Sequence, residues 1–164
     1  VFKTPLTLIL LLVLLIGGFW WGWRQVTAPV PTTPPEPCVV VDLSDGRLHS
    51  TQVTVRVYNA GSVGGRASRV ATNLRAKGFT VQRVSNWEEA VDKTVVVGAK
   101  ADNPEVKLVV PFFKEAEVRE DGRPDNTVDI IIGNDYPGFN DTAPTSIAVE
   151  GKKACVPVTP TPAG

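Results

Sequence analysis

The stretch VTVRVYNAGSVGGRASRVATNLRAKGF, residues 53–79, decides the fold. Val53, Val55 and Val57 alternate with Thr54, Arg56 and Tyr58, the period of two that turns one face of a strand toward a core. Asn59-Ala60-Gly61 interrupts the alternation, and the period then changes. Between Ser62 and Lys77, Ala67, Val70, Ala71 and Leu74 recur at i, i+3, i+4 and i+7, one face of a helix, and Gly78 stands where a helix-ending glycine belongs. Phe79, Val81 and Val84 suggest the next strand.

Outward from this unit the same alternation of periods repeats. Thr94 to Val97 reads as a strand. Asn103-Pro104-Glu105 reads as a helix N-cap, a first-turn proline and an acidic first turn. Val106, Val109, Val110 and Phe113 share that helix's apolar face, and Pro111 must end or kink it. Glu117-Val118 is a short, weak strand. Thr127 to Ile132 is apolar on both faces except at Asp129, as a central strand would be, and Cys38 to Leu43 is an earlier strand. The expected fold is α+β, a small mixed β-sheet with two helices packed on one face, within a domain spanning residues 38–155.

The N-terminus has a different chemistry. Leu6 to Trp23 carries no charge and would be ~27 Å long as a helix, against a bilayer core of ~30 Å. Phe19, Trp20, Trp21 and Trp23 suit the membrane interface, and Lys3 marks the cytoplasmic end. The competing reading is a cleaved signal peptide. It lacks small residues at the end of the run, and the nearest candidate cut, after Ala28, is followed by Pro29. The expectation is residues 1–5 cytoplasmic, 6–23 a single transmembrane anchor, 24–37 a Pro-rich spacer and 156–164 a disordered Pro/Thr tail.

Lysine and arginine number 17, as do aspartate and glutamate, so there is no global basic field and nucleic acid is not an expected partner. Basic residues predominate from Cys38 to Lys100 and acidic ones beyond, which makes the domain dipolar. Cys38 and Cys155 border the domain without metal or redox spacing. A disulfide is the economical reading, in keeping with an oxidising compartment; two unrelated buried thiols are the alternative.

Residues 53–65 with Ala67, Val70, Leu74, Gly78-Phe79 and Val81 resemble the opening of the LytR C-terminal domain. Lys93 to Val97 resembles its middle strand, and Thr127-Val-Asp-Ile-Ile-Ile-Gly133-Asn-Asp135-Tyr136 its closing strand with a G-x-D-Y end. The resemblance covers about Val53 to Tyr136. It implies a non-enzymatic role in envelope maintenance, like that of actinobacterial envelope-integrity proteins built from a short anchor and this domain. It carries over no catalytic residue and no cofactor. The expected partners are the membrane and a cell-wall polymer or an envelope protein. An enzyme that transfers or hydrolyses wall glycopolymers and a structural subunit of a membrane complex are the rival readings.

The ligand-binding candidates are Asn59, Gly61, Gly64, Gly65, Arg66, Arg69, Asn134, Asp135 and Tyr136. A glycine-rich loop between strand and helix can offer backbone N–H groups to an anion, although such glycines also serve simple tight turns. Arg66 and Arg69 lie at the helix end that disfavours cations, and with Asn73 and Lys77 they make a basic outer stripe. Asn134, Asp135 and Tyr136 close the last strand as a possible recognition edge, and Trp87 either caps a strand or is exposed for binding. His49 stands alone in a loop from Ser44 to Ser50. Asp121, Asp125 and Asp129 lack an EF-hand pattern, so no metal is assigned.

Overall fold

The structure, a computed structural model, describes Ile9, residues 12–21 and residues 38–157. The chain divides into two compact units, Val1–Pro34 and Pro35–Gly164. In the first, Ile9 and residues 12–21 are helical. Residues 6–8, 10, 11, 22 and 23 of the expected anchor, 6–23, lie outside the described residues, as do the spacer and all of the tail beyond residue 157. Among the described residues no helix is long and apolar enough to cross a membrane.

The second unit is α+β, with strands β1 (Val39–Asp42), β2 (Arg47–His49), β3 (Thr54–Asn59), β4 (Thr80–Asn86), β5 (Val95–Gly98), β6 (Glu117–Glu120), β7 (Val128–Ile132), β8 (Ser146–Ala148) and β9 (Lys153–Val156). Helix α1 (Arg66–Ala76) follows β3, and α2 (Pro104–Val109) follows β5. Five strands form a mixed sheet in the order β4-β3-β7-β5-β6. β3 runs parallel to both β4 and β7, β5 is parallel to β6, and β5 is antiparallel to β7. The two parallel pairs that are consecutive in sequence, β3–β4 and β5–β6, are each joined through a helix. The strand read as central, β7, is buried along its whole length in the middle of the sheet.

One cluster collects Val55 and Val57 of β3, Val96 of β5, and Val128, Ile130 and Ile132 of β7. Ala67, Val70, Ala71 and Leu74 of α1 and Val106, Leu108 and Val109 of α2 join it, so both helices bury their apolar stripes in the same core. Gly98 belongs to this contact, since a Cβ there would collide with Val106. The opposite side holds only a small cluster of Ala60, Val95 and Ile131, edged by Tyr58, Val91 and Val97.

Local signals act as their chemistry dictates. Gly78 takes φ 93°, and the N–H groups of Gly78 and Phe79 donate to the carbonyls of Arg75 and Leu74, the paired bonds of a Schellman ending. α2 stops at Val109 and continues as a 3-10 turn, Val110–Phe112, around Pro111. Asn103 stands at the N-cap of α2, but its side chain does not cap the backbone: Nδ2 donates instead to Glu105 Oε1 at 2.9 Å.

Three expectations change at the chain ends. The strand at 38–43 forms as β1 but lies outside the main sheet, because it pairs antiparallel with β9 beside the Cys38–Cys155 disulfide, whose Cα atoms are 5.3 Å apart. The loop 44–50 contains β2, which pairs with β8. β9 runs through Val156, opposite Val39, one residue into the expected tail. Leu43, Leu48, Ala143 and Ala154 carry this terminal clasp into the main core.

Glu105 is 4% exposed, and its Oε2 has no hydrogen-bond partner. Burial raises its carboxyl above the ordinary 4.5, against the hydrogen bond from Asn103. A raised carboxyl binds its proton more tightly folded than unfolded. The native state is therefore favoured below the ordinary value and loses that advantage as pH climbs through the folded one. Glu105→Gln is expected to raise the melting temperature at pH 7.5 and to flatten its decline between about pH 5 and 7.5. A melting series across that range checks both signs.

Candidate functional site

The carboxyl ends of the three parallel strands β3, β4 and β7 share one edge of the sheet, where open α/β sheets characteristically bind ligands. Three loops leave that edge and are stitched together. Ala60 N donates to Ile132 O at 2.9 Å, and Ser62 N donates to Asn134 Oδ1 at 2.9 Å. Trp87 N donates to Asn59 O at 2.9 Å. Asn134 N and Asp135 N donate to the carbonyls of Val91 and Asp92 at 3.0 and 2.8 Å. Gly133 lies so close to the backbone of Asp92 and Lys93 that any Cβ would collide with it. Gly61 is less constrained but still tight, since its Cβ would stand 3.1 Å from Gly133 O.

The sequence-chosen residues lie on these neighbouring loops but divide between grooves: Arg66, Arg69 and Tyr136 line one, Asn59, Gly61, Gly64 and Asn134 another. Asn59 braces its own loop, Nδ2 donating to the carbonyls of Gly61 and Val63 at 3.2 Å each. Gly65 occupies the N-cap of α1 at φ 75°, a left-handed conformation that favours glycine. Around Gly64 nothing lies within 4 Å of a would-be Cβ. Asp135 is exposed, and Tyr136 is half-buried against Phe113.

The outer basic stripe needs correcting. Arg66 does not face freely outward: it is half-buried, and Nη1 donates to Gly133 O at 3.0 Å and Asn134 O at 2.8 Å. Two carbonyls of the closing loop thus compensate a cation at the positive end of α1, which removes most of the local electrostatic conflict. Lys77 is held by Asp141, with Nζ 2.7 Å from its carbonyl oxygen. Arg69 is exposed, and its guanidinium makes no hydrogen bond or ion pair among the described residues.

Arg69 lines a groove of about 320 Å³ with Arg66, Val70 and Asn73 on one wall and Tyr136 and Phe139 on the other. Phe139 stacks on buried Phe112 with centroids 5.3 Å apart, which anchors the aromatic wall. Burial, helped by the negative charge of Asp141, pushes the Tyr136 phenol up to about 12, so it remains a hydrogen-bond donor at any physiological pH. A second groove, of about 500 Å³, lies between the Asn59–Gly64 loop and Trp87, with Asn134 at its edge. A third, also about 500 Å³, lies on the other side of Trp87 against Tyr58, Arg83 and Ser85. Sequence reading missed Phe139, Asn86 and Arg83. Asn86 had a signal, since Asn59 and Asn86 are register partners at the ends of adjacent strands.

The candidate acids and base are engaged elsewhere. Asp129 Oδ1 accepts from Arg56 Nε at 2.6 Å and Oδ2 from Arg123 Nη2 at 3.0 Å. Arg123 also forks onto Asp121, while both arginines reach Thr127 Oγ1 and Asp125 Oδ1 accepts from that same hydroxyl. Burial alone would lower the Arg123 guanidinium, but its bonds to Asp121 and Asp129 more than reverse that. The same arginine holds Asp121 below the usual carboxylate range. His49 sits exposed, with Nε2 2.6 Å from Asp45 Oδ2 and no nucleophilic side chain bonded to it among the described residues.

No curated protein matches the chain. Among solved structures, the soluble domain of a conserved hypothetical secreted protein, the Rv2700 ortholog of Mycobacterium marinum, is similar. It is 27% identical with a TM-score of 0.47, and the match covers 61% of this chain and 68% of that one. The family described as LytR cell envelope-related transcriptional attenuator matches residues 52–136, from just before β3 through Tyr136. That span is half of the chain and contains both grooves beside Trp87 and most of the groove of Arg69, whose Phe139 lies just beyond it, so the chain belongs to the LytR C-terminal domain family.

Proposed function

We propose that this chain is a non-enzymatic, membrane-anchored extracytoplasmic module that supports the cell envelope by binding an anionic wall polymer. Family membership supports the envelope setting. The Cys38–Cys155 bridge suits an oxidising compartment, and the apolar run 6–23 suits a single-pass anchor. The observation that carries the binding role is the groove in which the Arg69 guanidinium, unpaired among the described residues, faces the Tyr136 wall. A cation without a partner among the described residues, beside a phenol that stays protonated, offers charge-assisted and neutral hydrogen bonds to one phosphate or carboxylate. His49 and Asp129 are committed to Asp45 and to two arginines, which supports a binding rather than a catalytic reading.

The test is retention of the detergent-solubilised full chain on immobilised poly(glycerol phosphate), paired with complementation of envelope resistance in a deletion strain. Arg69→Glu is expected to weaken retention by about tenfold or more and to abolish complementation, while Arg69→Lys keeps part of both. Arg66→Glu is the wrong probe, since it breaks the bonds to Gly133 and Asn134 and disturbs the loops themselves. Unchanged retention by a folded Arg69→Glu chain would count against the anionic groove, and loss of complementation by a folded His49→Ala chain would revive catalysis.

A further inference from the structure

We infer that the two grooves flanking Trp87 form one continuous binding site for an uncharged glycan strand, separate from the groove of Arg69. Trp87 is the shared wall. The groove toward the glycine loop and the groove toward Tyr58 both include Asn86, Trp87 and Glu88, and each is about 500 Å³. Trp87 remains 40% exposed, yet it is firmly placed: its backbone N–H donates to Asn59 O, and its ring meets Tyr58 edge-on with centroids 5.2 Å apart. A half-exposed indole fixed from below costs little ordering on binding.

Four polar side chains around this ridge are unused by the described fold, whereas Asn59 and Asn134 are held by their loops. Arg83, Asn86, Glu88 and Glu89 are exposed, and their side chains have no hydrogen-bond or ion-pair partner among the described residues. Planar amides and carboxylates beside an aromatic face match a pyranose. Its C–H face can lie on the indole while its hydroxyls donate to the carboxylates at the rim and both donate to and accept from the amide of Asn86. Two grooves meeting at one ridge suit several consecutive sugar units rather than one. Glu88 and Glu89 oppose a polyanion here, in contrast to the groove of Arg69. An extended peptide is the competing occupant, because β4 is an exposed edge strand bearing Arg83 and Ser85.

The test is calorimetric titration of the full chain, solubilised in a sugar-free detergent, with the β-1,4-linked hexamer of N-acetylglucosamine. Saturable binding that changes little between 50 and 500 mM salt is expected. Trp87→Ala should weaken it by about tenfold or more, Trp87→Phe by about threefold or less, and Asn86→Ala, at an exposed site, by several-fold. Arg69→Glu should leave it unchanged, and Trp87→Ala should leave poly(glycerol phosphate) retention unchanged, so the two sites stand or fall separately. The inference is overturned if the hexamer does not saturate below millimolar concentration, or if Asn86→Ala and a folded Trp87→Ala bind it as the parent does. It is equally overturned if extended peptides compete while the sugar does not.

Discussion

Loss of the Cys38–Cys155 bridge is expected to lower stability by about 2–4 kcal/mol, with a melting temperature down by about 10 °C or more. The bond closes a loop of 117 residues, nearly the whole domain, so its removal returns a large share of chain entropy to the unfolded state. The chain-entropy estimate for so long a loop is ~4–5 kcal/mol, an upper figure because residual structure in the unfolded chain reduces the entropy that opening the loop returns. Cys38→Ser with Cys155→Ser, melted beside the parent under oxidising and reducing conditions, gives the number directly. Reductant should shift the parent toward the double variant and leave the double variant where it is.

Asp129→Ala is expected to cost about 3 kcal/mol or more, through a different mechanism. Asp129 lies on the central strand, 7% exposed, and each of its oxygens neutralises a different guanidinium. Its removal strands Arg56 and the 11%-exposed Arg123 side chain, although Arg123 keeps Asp121. Asp129→Asn retains one acceptor and should lose less, and Arg56→Ala should lose less again because Arg56 is the more exposed partner. Denaturant unfolding of the three variants should give that order. Acid should act on the same cluster: Asp121, held below its ordinary value by Arg123, contributes stability above about pH 4 that fades as pH falls through its folded value.

What was legible in the sequence depended on how much of its surroundings each segment carried with it. β3, α1 and Gly78 announce themselves because their periodicity and their ending are local, and β7 because a buried central strand must be apolar on both faces. β2, β8 and β9 are three or four residues long and have no alternation to detect. They exist because their partners arrive from the opposite end of the chain, and the sequence near Arg47 contains nothing that names Ser146. The candidate site divides in the same way. The glycines were visible as glycines, but the reason for Gly133, a collision with the backbone of Asp92 and Lys93, is a tertiary fact. Arg66 read as an electrostatic misfit because local rules see the dipole of α1 and not the carbonyls of residues 133 and 134 that answer it. Trp87 was undecidable for a related reason, since its exposure is set by Tyr58 on the neighbouring strand.

The clasp also determines how the domain would bear a load. β1 and β9 are antiparallel, so Val39 and Val156 lie opposite each other at the same end of the ladder. Tension applied across these two residues would open such a pair one hydrogen bond at a time, the weakest direction in which a ladder can be pulled. The Cys38–Cys155 bond stands at that end and takes the force before the ladder does. While it is oxidised, the 117-residue stretch it closes is mechanically short-circuited. Stretching at both borders would then lengthen the domain by almost nothing, whereas the reduced domain would unzip from its borders inward.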